Sequence, residues 1–276
     1  MTRLYIQPNT QKKLDMLVHD LPQSLVFTGP EGVGLSAAIS YVAHALLTQP
    51  IYVLPEKNES IDTENGVITI DIIRRLYMMT KTIETGTRLI VIDYAERMGF
   101  QAQNAFLKLL EEPGKNKHFI LLTHNVSKLL PTIQSRVQII EIHPITLEQS
   151  EKLLDSLKIH DKVKRSQLLF IASGLPAQLT LLARNATIFE QRAQMIRDAR
   201  TFIQGSLYDR LKLALLYKDD RAKSLLLLVD AMKLVQGALK TNHSADHVLM
   251  IAALLKAHER IEANGNIRLQ LAAAVL

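Results

Sequence analysis

The chain has 276 residues, of which 47% are hydrophobic and 22% charged, as in a globular protein of two or three domains. Its net charge of +6 permits contact with nucleic acid, but no lysine- or arginine-rich tract requires such contact. The lack of cysteine excludes disulfides and thiolate metal sites.

Short apolar segments alternate with helix-like segments over the first half of the chain. Strands are predicted at 24–28, 67–70, 89–92, 118–123 and 137–142, and helices at 36–47, 71–81 and 101–112. The polar, proline-interrupted stretch 48–66 is predicted to be irregular. This alternation predicts an α/β fold with a parallel sheet, whose ligands bind beyond the carboxyl ends of the strands.

The second half carries no strand pattern. Three short helices are predicted at 147–157, 163–173 and 176–183, followed by a helical region from 188 to the end with a break at Gly205. We therefore expect the C-terminal part to be all-α.

The segment 29–36 fits the phosphate-loop pattern G-x-x-x-x-G-K-[ST] at every fixed position except one. Backbone N–H groups of such a loop bind phosphate, and the hydroxyl at its end reaches magnesium. Leucine replaces the lysine that neutralises the phosphates, so we expect severely impaired hydrolysis. A tight strand-to-helix turn without a ligand is the alternative interpretation. The candidate binding residues are Gly29, Gly32, Gly34, Leu35 and Ser36.

Two further candidates lie at the ends of predicted strands. The apolar strand 89–92 ends at Asp93, as does the strand carrying the magnesium-organising acid of nucleotide hydrolases. Ser135 and Arg136 precede the last strand and put an arginine at the rim of the nucleotide-binding half. Taken singly, Asp93 is better explained as a strand-end aspartate and Arg136 as a solvated side chain.

Five segments together carry a specific resemblance. They are ITIDIIR at 68–74, NAFLKLLEEP at 104–113, LLTHN at 121–125, LLPTIQSRV at 129–137 and NGNIRL at 264–269. The chain resembles the AAA+ clamp-loader subunits of bacterial DNA polymerase III, most closely the delta-prime subunits.

The resemblance implies a role for each matched position. Arg136 corresponds to an arginine finger that enters the ATP site of a neighbouring subunit, and Ser135 completes that motif. Thr123 and Asn125 fall in the region that senses the γ-phosphate in active members. In those members a glutamate follows the strand-end aspartate; Tyr94 stands there in this chain, and Glu96 is not expected to replace it.

The resemblance also implies an architecture: an AAA+ core at 1–144, a three-helix lid at 145–186 and a helical collar at 187–276 that serves oligomerisation. We expect a non-hydrolysing stator that works with motor subunits, a delta subunit, the sliding clamp and primer-template DNA. The zinc module of many relatives is absent, and we expect no metal and no cofactor, with binding of ATP or ADP left open. A cytoplasmic location is expected, because neither a signal peptide nor a membrane span is evident.

Alternative functions stay open at this point. A motor-type ATPase with an altered site would need another cation in place of the missing lysine. The clamp-opening delta subunit or an unrelated scaffold would act through binding alone. Arg74, Arg75 and Lys81 are candidates for contact with a DNA backbone, although a solvated helix face is the favoured explanation for each of them.

Overall fold

The computed structural model describes residues 5–80, 86–241 and 244–275, and the chain divides into two compact units, Met1–Arg184 and Asn185–Leu276. Lys81 lies outside the described residues. The regular elements of the first unit are α1 (Pro8–His19), β1 (Ser24–Thr28), α2 (Leu35–Ala45), β2 (Ile51–Val53), β3 (Glu56–Lys57), β4 (Ser60–Ile61), α3 (Ile70–Thr80), β5 (Arg88–Ile92), α4 (Phe100–Glu111), β6 (Lys117–Thr123), α5 (Pro131–Gln134), β7 (Gln138–Glu141), α6 (Leu147–Ser156), α7 (Lys162–Ala172) and α8 (Pro176–Arg184).

The first unit is built on a five-stranded sheet in the order β2-β5-β6-β1-β7, and all neighbouring strands are parallel. Every strand therefore ends at the same edge of the sheet. Gly29, Asp93 and the residues after Thr123 follow the three central strands at this carboxyl edge. The predicted α/β class is confirmed, and the sheet brings the sequence candidates of three strands to one side.

Both faces of the sheet are buried, because side chains alternate along each central strand. In β1, Val26 joins the apolar cluster on the side of α3 and α4, whereas Leu25 and Phe27 join the cluster on the side of α1 and α2. The rings of Phe106 and Phe119 meet edge to face, with centroids 5.6 Å apart. Helix packing on both faces fixes the strand ends that carry the candidate site.

The fifth strand is not the one that the sequence predicts. Residues 67–70 lie outside the sheet: Val67 and Ile68 form only isolated bridges, and α3 begins at Ile70. The edge strand is β2, within the stretch predicted to be irregular, and β3 and β4 form a small hairpin after it. Pro50 and Pro55 flank β2 and obscure its apolar pattern, while Asp71 in the first turn favours the helix that begins at Ile70.

The helices are predicted more successfully. The predicted α2, α3 and α4 are confirmed to within one or two residues over the described part, and so are α6, α7 and α8. A helix that the sequence did not reveal, α1, precedes the sheet, with Gln7 capping its first turn through Asn9 and Thr10 N–H. A Thr146–Gln149 capping box starts α6, as its sequence pattern requires.

The second unit is helical throughout its described part, as predicted. Its elements are α9 (Ala186–Gln204), α10 (Leu207–Leu216), α11 (Arg221–Thr241), α12 (Ala245–Glu262) and α13 (Ile267–Ala273), with Gly205 at the predicted break. Arg192 of α9 and Asp230 of α11 form a two-pronged ion pair, with 2.7 Å from Nη2 to Oδ1. The division into core, lid and collar stays a prediction.

Candidate functional site

The glycine loop joins β1 to α2 in a conformation that depends on glycine. Gly34 caps α2 with a φ of 98°, a left-handed conformation that other residues rarely adopt. A Cβ atom on Gly29 would stand 2.5 Å from the carbonyl oxygen of Ile142, so no side chain fits there. The backbone thus turns sharply from strand to helix, as the sequence pattern predicts.

Leu35 belongs to the core and not to the mouth of the loop. Its side chain is only 5% exposed and lies in the same apolar cluster as Leu25 and Phe27. A leucine has neither charge nor donor, so this position offers a phosphate only its backbone N–H. Ser36, next along α2, is exposed.

The start of α8 packs onto the glycine loop. The N–H of Ala177 donates to the carbonyl oxygen of Gly32 at 3.0 Å, and the N–H of Gln178 approaches the same oxygen at 3.4 Å. A Cβ atom on Gly32 would lie 2.7 Å from the Cβ atom of Gln178. These N–H groups at a helix start, which favour anions, are directed at a carbonyl of the loop itself.

Asp93 lies at the end of β5, where the sequence predicts a magnesium-organising acid. Its carboxylate accepts the N–H of Tyr94 at 2.9 Å. Burial raises the pKa of the Asp93 carboxyl, and the nearby negative charge of Glu96 adds to the rise. The site therefore contains a carboxylate that is partly removed from water.

Tyr94 stands at the position where the resemblance predicts a glutamate in active members. It has a φ of 54°, and its ring lies 5.0 Å from the guanidinium carbon of Arg97. Burial raises the pKa of its phenol, so the group stays neutral at neutral pH and does not act as a base there. Glu96 has one buried carboxylate oxygen, Oε2, without a hydrogen-bond partner among the described residues.

The residues after β6 make contacts that the sequence did not reveal. Asn125 accepts the backbone N–H of Ser127 at 3.1 Å, and Thr123 accepts the N–H of Asn125, so both side chains stabilise the turn itself. His124, between them, reaches the glycine loop: its Nδ1 lies 2.7 Å from the carbonyl oxygen of Gly29. A carbonyl only accepts, so the ring nitrogen donates in this contact.

Arg136 lies at the opposite end of the sheet from the glycine loop. It precedes β7, and the register pairs Gln138 with Leu25, at the start of β1. Gly29 is four residues beyond Leu25, about 13 Å along the strand at the usual rise per residue. Arg136 is therefore not brought together with the other candidates, and its side chain does not reach its own chain's loop.

The Arg136 side chain is held by three neighbours yet remains 42% exposed. Its Nη1 donates to the carbonyl oxygen of Thr132 at 3.1 Å and approaches Ser135 Oγ at 3.5 Å. Its Nη2 pairs with Glu111 Oε1 at 3.1 Å. The sequence did not reveal this carboxylate partner, although Glu111 lies within one of the five resembling segments.

Comparison with known proteins identifies the family. The family model described as "DNA polymerase III, delta subunit" matches residues 6–146. The chain belongs to this family. The matched region includes the whole parallel sheet, the glycine loop, Asp93 and Arg136, so the family assignment applies to the unit that contains the candidate site.

Relatives with assigned names agree with this family. The chain is 29% identical over 204 residues to DNA polymerase III subunit delta′ of Pseudomonas aeruginosa, covering 65% of this chain and 61% of that protein. It is 32% identical over 115 residues to subunit delta′ of Bacillus subtilis, covering 42% and 34%. With Replication factor C subunit 5 of Homo sapiens the identity is 30% over 164 residues, covering 58% and 46%. The chain thus spans about half the length of the curated relatives it matches.

Solved structures confirm the α/β fold class, a parallel sheet with surrounding helices followed by a helical C-terminal part. A DNA polymerase III gamma subunit-related protein of Thermotoga maritima superimposes with a TM-score of 0.56 at 19% identity, covering 96% of this chain and 97% of that one. A mutant of RuvB from Thermotoga maritima gives a TM-score of 0.53 at 13% identity, covering 73% and 78%. At these identities the likeness concerns the fold alone.

Two further observations apply to the described residues. No group of three or more histidine, aspartate or glutamate side chains there is arranged to hold a metal ion. Likewise, no helix in the described part of the chain is long and apolar enough to cross a membrane. The expected lack of zinc and of a nucleotide cofactor stays a prediction.

Proposed function

We propose that this chain is a delta-prime-like subunit of a DNA polymerase III clamp loader, a stator that hydrolyses no ATP itself. It would supply Arg136 to the ATP site of a neighbouring subunit while the sliding clamp is loaded onto primed DNA. Membership of the family and the names of the relatives from Pseudomonas aeruginosa and Bacillus subtilis support the assembly. The stator and finger roles rest on the geometry of the site.

A silent site in this chain is supported by three independent features. Leu35 is buried in the core and brings no positive charge to the loop. Tyr94 stands where a general base is needed; its phenol is neutral at neutral pH, and burial raises its pKa further. The N–H groups at the start of α8 are directed at Gly32 and not at an open pocket for phosphate.

The position of Arg136 carries the finger proposal. The arginine lies at the amino edge of the parallel sheet, while the glycine loop lies at the carboxyl edge. A cation on that side of the molecule cannot reach a phosphate bound at the glycine loop of the same chain, but it is exposed to a partner. An arginine supplied in trans stabilises the charge on the transferred phosphoryl group.

The proposal also names partners and a location. Motor subunits would receive the finger, and a delta subunit would complete the assembly that opens the clamp around primer-template DNA. The described surface of α3 carries the exposed arginines Arg74 and Arg75, each in an ion pair, and these remain candidates for a DNA backbone. We place the protein in the cytoplasm, where replication takes place in bacteria.

The substitution Arg136→Ala tests the finger directly. It is measured in a reconstituted clamp loader whose other ATP sites are disabled, so that turnover comes only from the site next to this subunit. We expect DNA-stimulated turnover to fall by about 10³ or more, because a finger acting in trans contributes this much. The control is Arg197→Ala, which removes another exposed arginine paired with a glutamate. An assembly of normal composition with an unchanged rate would rule out the finger.

A further inference from the structure

The contact between Arg136 and Glu111 joins two segments that are distant in sequence. Glu111 is the last residue of α4, and its Oε1 lies 3.1 Å from Arg136 Nη2. The other terminal nitrogen of the guanidinium, Nη1, donates to the carbonyl oxygen of Thr132. The planar group is thus fixed from two elements, and a single rotamer is favoured before any partner arrives.

Helix stability does not explain the acid at this position. The carboxyl end of a helix carries partial negative charge, so glutamate is unfavourable there, and α4 ends with two glutamates in succession. Both are exposed. Of the two, Glu111 pairs with Arg136. The pairing with Arg136 offsets the unfavourable position of Glu111 at the helix end.

We propose that Glu111 is a positioning residue that orients Arg136 for the neighbouring ATP site, an inference that rests on the proposed function. The guanidinium has five N–H donors, and the contacts within the described residues use at most three of them. The side chain is 42% exposed, so the remaining donors are open to a partner. A phosphate from the next subunit therefore meets a pre-oriented donor, which lowers the entropy lost when the contact forms.

Glu111 orients the finger without competing strongly for it. An ion pair between exposed side chains gains little in water, because solvent screens both charges. The several negative charges of a nucleotide bound to magnesium attract the guanidinium more strongly than one carboxylate does. Glu111 therefore holds Nη2 in place while the outward donors engage the phosphate.

The test uses the same clamp loader with a single active site. We expect Glu111→Gln to lower kcat by about two- to fivefold with KM for ATP unchanged, since orientation affects the transition state and not the binding of ATP. Glu112→Gln, the adjacent residue on the same helix end, is the matched control and should turn over like the wild type. In the Arg136→Ala background, Glu111→Gln should cause no further loss.

Each other outcome overturns the inference in a recognisable way. A Glu111→Gln rate equal to or above that of the wild type means that Glu111 does not position the finger, while Arg136→Ala still reports on the proposed function. A loss of the same size in the Arg136→Ala background means that Glu111 acts through the structure and not through Arg136. If Arg136→Ala itself changes nothing, the proposed function fails first, and the inference fails with it.

Discussion

At the scale of single residues, the candidate site holds groups that stability alone would not select. Asp93 is partly buried at a strand end with a raised pKa, and Glu96 keeps a buried oxygen without a described partner. Buried acids with shifted pKa values are concentrated at functional sites. In this chain Asp93 is such an acid, and it lies at the carboxyl edge of the sheet beside a glycine loop that lacks the lysine of the pattern.

The raised pKa of Asp93 predicts how the free energy of unfolding depends on pH. The folded protein holds the Asp93 proton to a higher pH than the unfolded chain does, so stability falls as pH rises between the two pKa values. Above that window the cost of the buried charge is complete. We expect Asp93→Asn to raise the free energy of unfolding at pH 7, with the gain shrinking toward pH 4, as measured by urea denaturation.

Asp62 provides a contrast of opposite sign. It accepts the backbone N–H groups of Asn65 and Glu64, and these bonds lower the pKa of its carboxyl. The ionised Asp62 carboxylate stabilises the folded state at neutral pH, and this stabilisation is lost as pH falls. Asp62→Asn should therefore lower the free energy of unfolding at pH 7. If both variants shift stability in the same direction, burial is not what governs Asp93.

Several residue roles were accessible from the sequence, and others were not. The glycine loop and its missing lysine are visible because the pattern is local. The contacts of His124 with Gly29 and of Glu111 with Arg136 join residues 95 and 25 positions apart. Only the packing of β6 beside β1, and of α4 near α5, brings these side chains together.

At the scale of elements, the buried ion pair between α9 and α11 requires both of its charged side chains for the stability of the helical unit. Arg192 and Asp230 have side chains that are 11% and 1% exposed, and each satisfies the charge of the other. Removing one partner leaves the other charge buried and unpaired. This is a different situation from the exposed pairs on the same unit, which solvent screens.

We therefore expect Asp230→Ala to lower the free energy of unfolding by about 3–5 kcal/mol. Glu190→Ala, which removes a partner from the exposed pair with Arg197, should change it by less than about 0.5 kcal/mol. Urea denaturation followed by far-UV circular dichroism measures both. Equal effects for the two variants would mean that the Arg192–Asp230 pair is not sealed from water.

The elements also show where sequence patterns are informative. The sequence predicts α4, which Pro113 and Gly114 end, and α6, which follows the change in character after Pro144. The three-residue strand β2 was missed, and residues 67–70 were wrongly predicted as a strand, since a short apolar run has no period to measure. Whether such a run joins the sheet depends on pairing with β5, which is set by the tertiary fold.

At the scale of the whole molecule, the proposed function leads to a prediction about ATP: a loop without the lysine's charge should bind ATP too weakly for the nucleotide to stabilise the protein. A ligand present at about a hundred times its Kd raises the free energy of unfolding by about 2.7 kcal/mol. For units of this size that corresponds to a rise in Tm of roughly 5 °C or more. We expect no shift in the Tm of the isolated chain with millimolar MgATP, measured by thermal denaturation.

The matched control in that experiment is a purified motor subunit, which should shift under the same conditions. A clear rise in the Tm of this chain would show that its site still binds ATP, which the motor-type alternative requires. ATP hydrolysis by the isolated chain, abolished by Asp93→Ala, would establish that alternative.

The register between β1 and β7 has a consequence for how copies of such a fold associate. The arginine and the glycine loop occupy opposite edges of one parallel sheet. Under the proposed function, a subunit of this fold would therefore place its arginine in the ATP site of one neighbour and would accept an arginine from the neighbour on its other side. Contacts of this kind are head-to-tail and give an assembly a direction. Under the proposed function this chain supplies an arginine finger, but a finger from a neighbour would have no active ATP site to act on in this chain. It would therefore lie at one end of a row of subunits with active ATP sites, and its position would define the polarity of that row.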